Sequence, residues 1–308
     1  MASPPKIFIS GIYAADLVFT GQRLPQPGET VTASGFMRSH GGKGSNQAIA
    51  AARAGAAVSL FGRVGNDAFG REALALWELE GIKANVSVID SLPTGAASIF
   101  VDTHTGSNTI AVYPGASNSL QGKDVDAVEH DIAASDVFVV QLEQPAQVVV
   151  RGLELARRHG VTTILNPAPV VDLPDAVFGL CDYIVPNETE AGSLIGMPVE
   201  TRADAESAAR VLLDKGARHV IITLGEKGAL YCGHGDTFLV EARVVGPCVD
   251  PTGAGDGFIG GFAVGLARGM ETRRAMEFGA ALAGISVTRA GAAQAMPTLE
   301  EIRAIVGP

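Results

Sequence analysis

The stretch Val249-Asp250-Pro251-Thr252-Gly253-Ala254-Gly255-Asp256-Gly257-Phe258 places a carboxylate directly after three residues with almost no side chain. An anion can approach the N–H groups of Gly253, Ala254 and Gly255 closely. A helical pattern starts at Asp256, with Phe258, Ile259, Phe262 and Leu266 on one face. The small residues then sit at a helix N-terminus, where partial positive charge favours phosphate. Asp256 beside the anion could take a hydroxyl proton, and cradle plus base suit phosphoryl transfer to an alcohol. The competing reading is a glycine-rich turn with Asp256 as N-cap. A second stretch, Gly41-Gly42-Lys43-Gly44-Ser45-Asn46-Gln47, runs into an alanine-rich helix pattern and brings Lys43 and Asn46 to its start. It is not a Walker A loop: Met37 stands where that motif needs glycine, and Gly44 where it needs Ser or Thr.

Elements of a sheet-and-helix scaffold must bring these distant stretches together. Short apolar runs at 137–140, 162–165, 183–185 and 220–224 suit strands buried on both faces. Amphipathic stretches at about 146–159, 203–215 and 272–287 separate or follow them. Ile7 to Gly11 and Val58 to Phe61 read as further strands. The expected fold is α/β, a mostly parallel central sheet flanked by helices. Residues 14–36 and 95–114 carry no helical period and alternate apolar with polar positions. They are expected to form a small second sheet, with two surface hairpins on the main sheet as the alternative. Residues 1–13, 37–94 and 115–308 then make up the core. Open parallel sheets bind ligands beyond the carboxyl ends of their strands, and each motif follows a strand or opens a helix.

The chain has 308 residues, enough for a large core and an appendage. Its net charge of −10 and lack of a basic run argue against nucleic-acid binding. No stretch reaches the length of a membrane span, and the run from Ile7 to Ile12 is too short for a signal sequence. Cys181, Cys232 and Cys248 show no metal-binding spacing and read as reduced, buried thiols of a cytoplasmic protein.

Gly41 to Asn46 and Asp250 to Asp256 resemble the two signatures of the ribokinase family, the PfkB-type carbohydrate kinases. Pro25 to Thr30, Gln141-Leu142-Glu143, Leu165 to Pro169, Pro186-Asn187-Glu188-Thr189-Glu190 and Thr223-Leu224-Gly225 follow in that family's order. The resemblance implies an ATP-dependent sugar kinase, with D-ribose to ribose 5-phosphate as the first reading. Another pentose, a hexose or a nucleoside is the alternative acceptor. A catalytically silent sugar- or nucleotide-binding regulator ranks lower. A dinucleotide oxidoreductase ranks last, because no Gly-x-Gly-x-x-Gly follows the first strand.

The resemblance also implies roles for residues. Asp256 is the base, and Gly253, Ala254 and Gly255 face the transferring phosphoryl group. Asp16, Gly42, Lys43, Asn46 and Glu143 bind the sugar together with Asp256. Thr223, Gly225, Gly228 and Asn187 join the cradle in holding the nucleotide. Asn187 and Glu190 organise Mg²⁺ through water, although the same pair also fits a helix capping box. Asp250, Thr252, Arg289 and Gly291 surround an activating K⁺, mainly through backbone carbonyls. The segments 14–36 and 95–114 become a β-lid over the sugar and the contact of a homodimer. Three positions depart from the ribokinase pattern: Ala14 where a sugar-binding Asn is usual, Ala295 near the cation, and Ala280 near the adenine. Ala14 puts the identity of the sugar in doubt, and Ala295 the need for K⁺.

Overall fold

Val137–Gln141 is buried at every position, as a strand covered on both faces must be. The computed structural model describes residues 3–233 and 235–307. They run through β1 (Lys6–Ser10), β2 (Ala14–Gly21), β3 (Gly35–Gly41), α1 (Lys43–Arg53), β4 (Ala57–Gly65), α2 (Ala68–Leu79), β5 (Lys83–Ile89), β6 (Gly95–Asp102) and β7 (Asn108–Tyr113). Then follow α3 (Gly122–Asp126), α4 (Glu129–Ala133), β8 (Val137–Gln141), α5 (Ala146–Arg158), β9 (Thr162–Asn166), β10 (Tyr183–Ile184), α6 (Glu188–Ile195), α7 (Arg202–Asp214) and β11 (His219–Thr223). The rest is β12 (Ala229–Gly233), β13 (Asp236–Val240), α8 (Ala254–Ala267), α9 (Thr272–Ser286) and α10 (Leu299–Val306).

Nine strands form one sheet in the order β13-β12-β11-β10-β9-β8-β1-β4-β5. From β11 to β5 every pairing is parallel; β12 and β13 add an antiparallel edge. Side chains alternate between two cores, as the strand period of two requires. Ile7, Ile9, Val137 and Val139 enter the core shared with α1, α8 and α9. Phe8, Phe138 and Val140 enter the one shared with α5 and α7. Among the described residues no helix is long and apolar enough to cross a membrane.

A separate four-stranded sheet has the order β3-β2-β6-β7. Its central pair β2 and β6 is parallel, and the outer pairs are antiparallel. Met37 pairs with Val18, Val18 with Ile99, and Ile99 with Ile110, so these four share one face. Asp16, two residues before Val18, shares it too. Much of this apolar face is open: Met37 is 47% exposed, Ile110 55% and Val112 54%.

The structure departs from the sequence reading at three points. Strand β3 of the small sheet runs from Gly35 to Gly41, five residues past position 36. Helix α8 starts at Ala254 rather than Asp256, because Gly253 takes the left-handed cap conformation (φ 76°). Asp256 is therefore inside the first turn and is not the N-cap. Cys181 and Cys232 are buried, but Cys248 is exposed, since it lies on the mostly exposed loop that precedes α8.

Candidate active site

The turn after β1 and the start of α1 interlock through glycine. Gly42 caps α1 at φ 87°, and a Cβ there would come within 2.6 Å of the Ile12 carbonyl oxygen. Gly44 packs on Gly11 so closely that a Cβ on either would lie 2.5 Å from the other's Cα. A Cβ on Gly41 would strike the Asp16 carboxylate. These contacts seat the first turn of α1 against the carboxyl end of β1, beside Asp16.

From that turn Asn46 and Gln47 reach Asp256 on α8. Asn46 Nδ2 donates to Asp256 Oδ2 at 3.0 Å, and Gln47 Nε2 to Asp256 Oδ1 at 2.9 Å. Asp256 is only 7% exposed. Lys43 N donates to Glu143 Oε2 at 2.8 Å, which ties the turn after β8 to the same corner. Asn46 Oδ1 is buried with no hydrogen-bond partner among the described residues.

The charges of this corner act on one another. Burial, then the nearby charge of Asp256, pushes the Asp16 carboxyl up to about 6. Burial pushes Glu143 up to about 7, against the opposing pull of Lys43. Asp256 holds the Lys43 ammonium above its usual range, overcoming burial with help from Glu143 and Glu190. Glu190 is raised by burial. Asp16, Lys43, Glu143, Glu190 and Asp256 thus meet beyond the carboxyl ends of the central strands, three carboxylates acting on the lysine and Asp16 on Glu143, itself acted on by Asp256.

The cradle residues divide. The Ala254 N–H turns back to the Pro251 carbonyl at 3.2 Å. A Cβ on Gly255 would meet nothing within 4 Å, so this glycine borders open space. Gly253 packs against Ala292, where a Cβ would lie 2.8 Å from that residue's Cβ.

Asn187 and Glu190 form a full capping box on α6: Glu190 N donates to Asn187 Oδ1 at 2.8 Å and Asn187 N to Glu190 Oε2 at 2.9 Å. Thr223 lies beside them, its N–H donating to the Pro186 carbonyl at 2.9 Å. Gly225 and Gly228, at φ 55° and 102°, shape the loop that follows. Asp250 bridges two chain segments, accepting from Thr252 N at 2.9 Å and Gly291 N at 2.8 Å. Burial alone would raise its carboxyl, but these bonds bring it below the usual range. The Arg289 guanidinium turns away to pair with Glu301. Ala14, Ala280 and Ala295 are all buried.

Gln47, Gln141 and Asn166 belong to the corner without having been assigned to it from sequence. Gln141 and Asn166 lie in stretches that carried the family resemblance and Gln47 directly follows one, but amides have no charge or metal-binding pattern to mark them out.

A carboxylate held by amides, beside a glycine-lined opening at a helix start, suits transfer of a phosphoryl group to a hydroxyl. The class is that of a small-molecule kinase. Residues 5–299 match the pfkB family carbohydrate kinases, and the chain belongs to that family. It is an ATP-dependent kinase acting on a sugar hydroxyl. It is 39% identical to a ribokinase of Schizosaccharomyces pombe, with 96% of each chain covered. It is 37% identical to a deoxyribokinase of Salmonella typhimurium, again over 96% of each. Among solved structures, an Arabidopsis thaliana ribokinase complexed with ribose and ATP superposes with a TM-score of 0.91 at 27% identity, covering 99% of this chain and 100% of that one.

Proposed function

We propose that the sugar is D-ribose, converted with ATP to ribose 5-phosphate and ADP, and that Asp256 is the base. The observation that carries this reading is the clamped Asp256 carboxylate next to the open space over Gly255. As the sugar oxygen attacks the γ-phosphorus, its proton passes to Asp256 and the bond from the γ-phosphorus to the ADP oxygen breaks. Backbone N–H groups of Gly253 to Gly255 receive the charge on the transferring group; for Ala254 this means giving up its bond to Pro251. Asp16 and Glu143, when ionised, accept sugar hydroxyls. Asn46 Oδ1, buried without a partner, accepts another. Gly42 and Lys43 complete this side. Thr223, Gly225, Gly228 and Asn187 hold the nucleotide.

Glu190 lies within electrostatic reach of Lys43 and Asp256, and Mg²⁺ bound with the nucleotide there would neutralise phosphate charge. Among the described residues no cluster of three or more His, Cys, Asp or Glu could cage a metal. Asn187 and Glu190 would therefore hold the ion through water. The low Asp250 carboxyl supports a K⁺ beside the cradle, with carbonyls near Thr252, Arg289 and Gly291 as further ligands. Arg289 fits this only through its backbone, since its side chain pairs with Glu301. A reaction that consumes ATP and responds to K⁺ suits the cytoplasm. The apolar face of the small sheet, open at Met37, Ile110 and Val112, supports its role as lid and as the contact of a homodimer.

A second reading is 2-deoxyribose. Ala14 and Asp16 lie two apart on β2 and share a face, so a methyl group stands beside the sugar carboxylate. A site with one fewer polar partner discriminates less against a sugar lacking one hydroxyl. The test is ADP release across ribose, 2-deoxyribose, hexoses and nucleosides, with Mg²⁺ and a K⁺ titration at fixed ionic strength. Ribose is expected to give the highest kcat/KM, and K⁺ to raise activity. A preference for 2-deoxyribose would replace the first reading with the second.

A further inference from the structure

Behind Asp256 lies a chain of buried amides. Gln141 Nε2 donates to Gln47 Oε1 at 2.6 Å. Gln47 Nε2 donates to Asp256 Oδ1 at 2.9 Å and to Asn166 Oδ1 at 3.2 Å. Asn166 Nδ2 donates to the Val185 carbonyl at 3.0 Å. Three strand ends, those of β8, β9 and the segment after β10, are thereby wired to one carboxylate. Gln47 and Gln141 are almost wholly buried.

The direction of this chain is fixed at one end. A backbone carbonyl can only accept, so Asn166 must turn its NH₂ to Val185 and its oxygen to Gln47. That oxygen needs a donor, so Gln47 presents its NH₂ to Asn166 and also to Asp256. Its own oxygen then faces the Gln141 NH₂. A flip of any member would set two donors or two acceptors against each other. The helices that carry the clamp are held at glycine distance: a Cβ on Gly260 would lie 2.6 Å from Ala50 Cβ and 2.9 Å from the Gln47 carbonyl oxygen.

We propose that Gln47 is a positioning residue for phosphoryl transfer, its amide fixing the plane of the Asp256 carboxylate through a one-way hydrogen-bond chain anchored on the Val185 carbonyl. This rests on Asp256 being the base. The geometry of the proton acceptor counts in the transition state more than in the bound complex, so the effect falls on kcat.

The test compares Gln47→Leu, Asp256→Asn and the double variant. Gln47→Leu is expected to lower kcat about 10- to 100-fold, with the KM values for sugar and ATP within about threefold of wild type. On the Asp256→Asn background the same change should alter kcat by less than about twofold, because there is no base left to position. Should Gln47→Leu fail to fold, Gln47→Glu serves instead. Its introduced carboxyl, when protonated, can donate to Asp256 and still accept from Gln141; once ionised it repels Asp256. Turnover of that variant should therefore fall with rising pH while the wild type does not. Asp16, Lys43, Glu143 and Glu190 face the same corner in both proteins and cancel in the comparison. Near-normal kcat in Gln47→Leu, multiplying effects in the double variant, or a Gln47→Glu profile parallel to wild type would overturn the proposal while leaving Asp256 as base. Near-normal kcat in Asp256→Asn would remove the base itself.

Discussion

The two sheets treat their side chains in opposite ways. In the nine-stranded sheet, β8 is buried at every position and leads into the amides and carboxylates of the corner around Asp256. In the four-stranded sheet, β7 is exposed at every position, and an apolar face lies open above Asp16. The first is a scaffold whose polar ends are locked to one another. The second brings few polar groups to the site and has spare apolar surface. On the proposed roles, the large sheet and α8 carry the proton acceptor and part of the sugar site, and the small sheet adds Asp16 and position 14.

The sharpest way to break that division is Asp256→Asn, which keeps the size and removes the proton acceptor. Turnover is expected to fall about a hundredfold or more, with ribose binding retained in calorimetry. Loss of sugar binding in step with turnover would blur the two roles.

Asp16→Asn probes the other side. Weakening a hydrogen bond to a charged acceptor costs about 1.5–3 kcal/mol, so the sugar KM should rise roughly 10- to 100-fold while kcat changes little. The same variant tests the electrostatics. The Asp16 carboxyl titrates near 6 in the folded protein against an ordinary 3.8. Between these values the folded state holds a proton that the unfolded chain has lost, so ionised Asp16 lowers stability as pH rises through the window. Asp16→Asn should therefore gain Tm over wild type at pH 8, keep about half of that gain at pH 5 and lose most of it by pH 4. In the wild type, the sugar KM should rise as pH falls through 7 and 6, where Glu143 and Asp16 take up protons.

Ile110→Glu places a charge on the open apolar face. If this face is the proposed homodimer contact, sedimentation is expected to give a dimeric wild type and a monomeric variant, with kcat within about threefold of wild type because no residue of the corner is touched. An unchanged dimer would move the contact elsewhere. The smallest effect belongs to Ala14→Asn. One added hydrogen bond, about 0.5–1.5 kcal/mol, should raise the preference for ribose over 2-deoxyribose several-fold. No change in that ratio would mean that position 14 does not sense the sugar.

The same contrast accounts for what could be read beforehand. Continuous apolar runs such as Val137 to Val140 marked the buried strands, and alternation at 97–102 and 108–113 marked the small sheet. The last residues of β3, Arg38-Ser39-His40, are polar on both faces and hid its true end. The start of α8 was misplaced because small residues carry no amphipathic signal; the cap at Gly253 rests on backbone conformation. Asp256, Lys43, Glu143 and Asp16 stood out by type. Gln47 did not, since its part depends on which donors and acceptors surround it in space.

Asn46 and Asp256 are 210 positions apart, yet their side chains share a hydrogen bond. A growing chain on the ribosome therefore makes Asn46 long before Asp256, its hydrogen-bond partner on α8. With Asp256 as the proposed base, an N-terminal fragment that stops short of α8 is expected not to turn over ATP, however well its strands have paired. Closing so long a loop is slow and costs entropy before any contact repays it. In refolding, helical signal should recover first and activity last, which makes turnover a direct report that both ends of the chain have met.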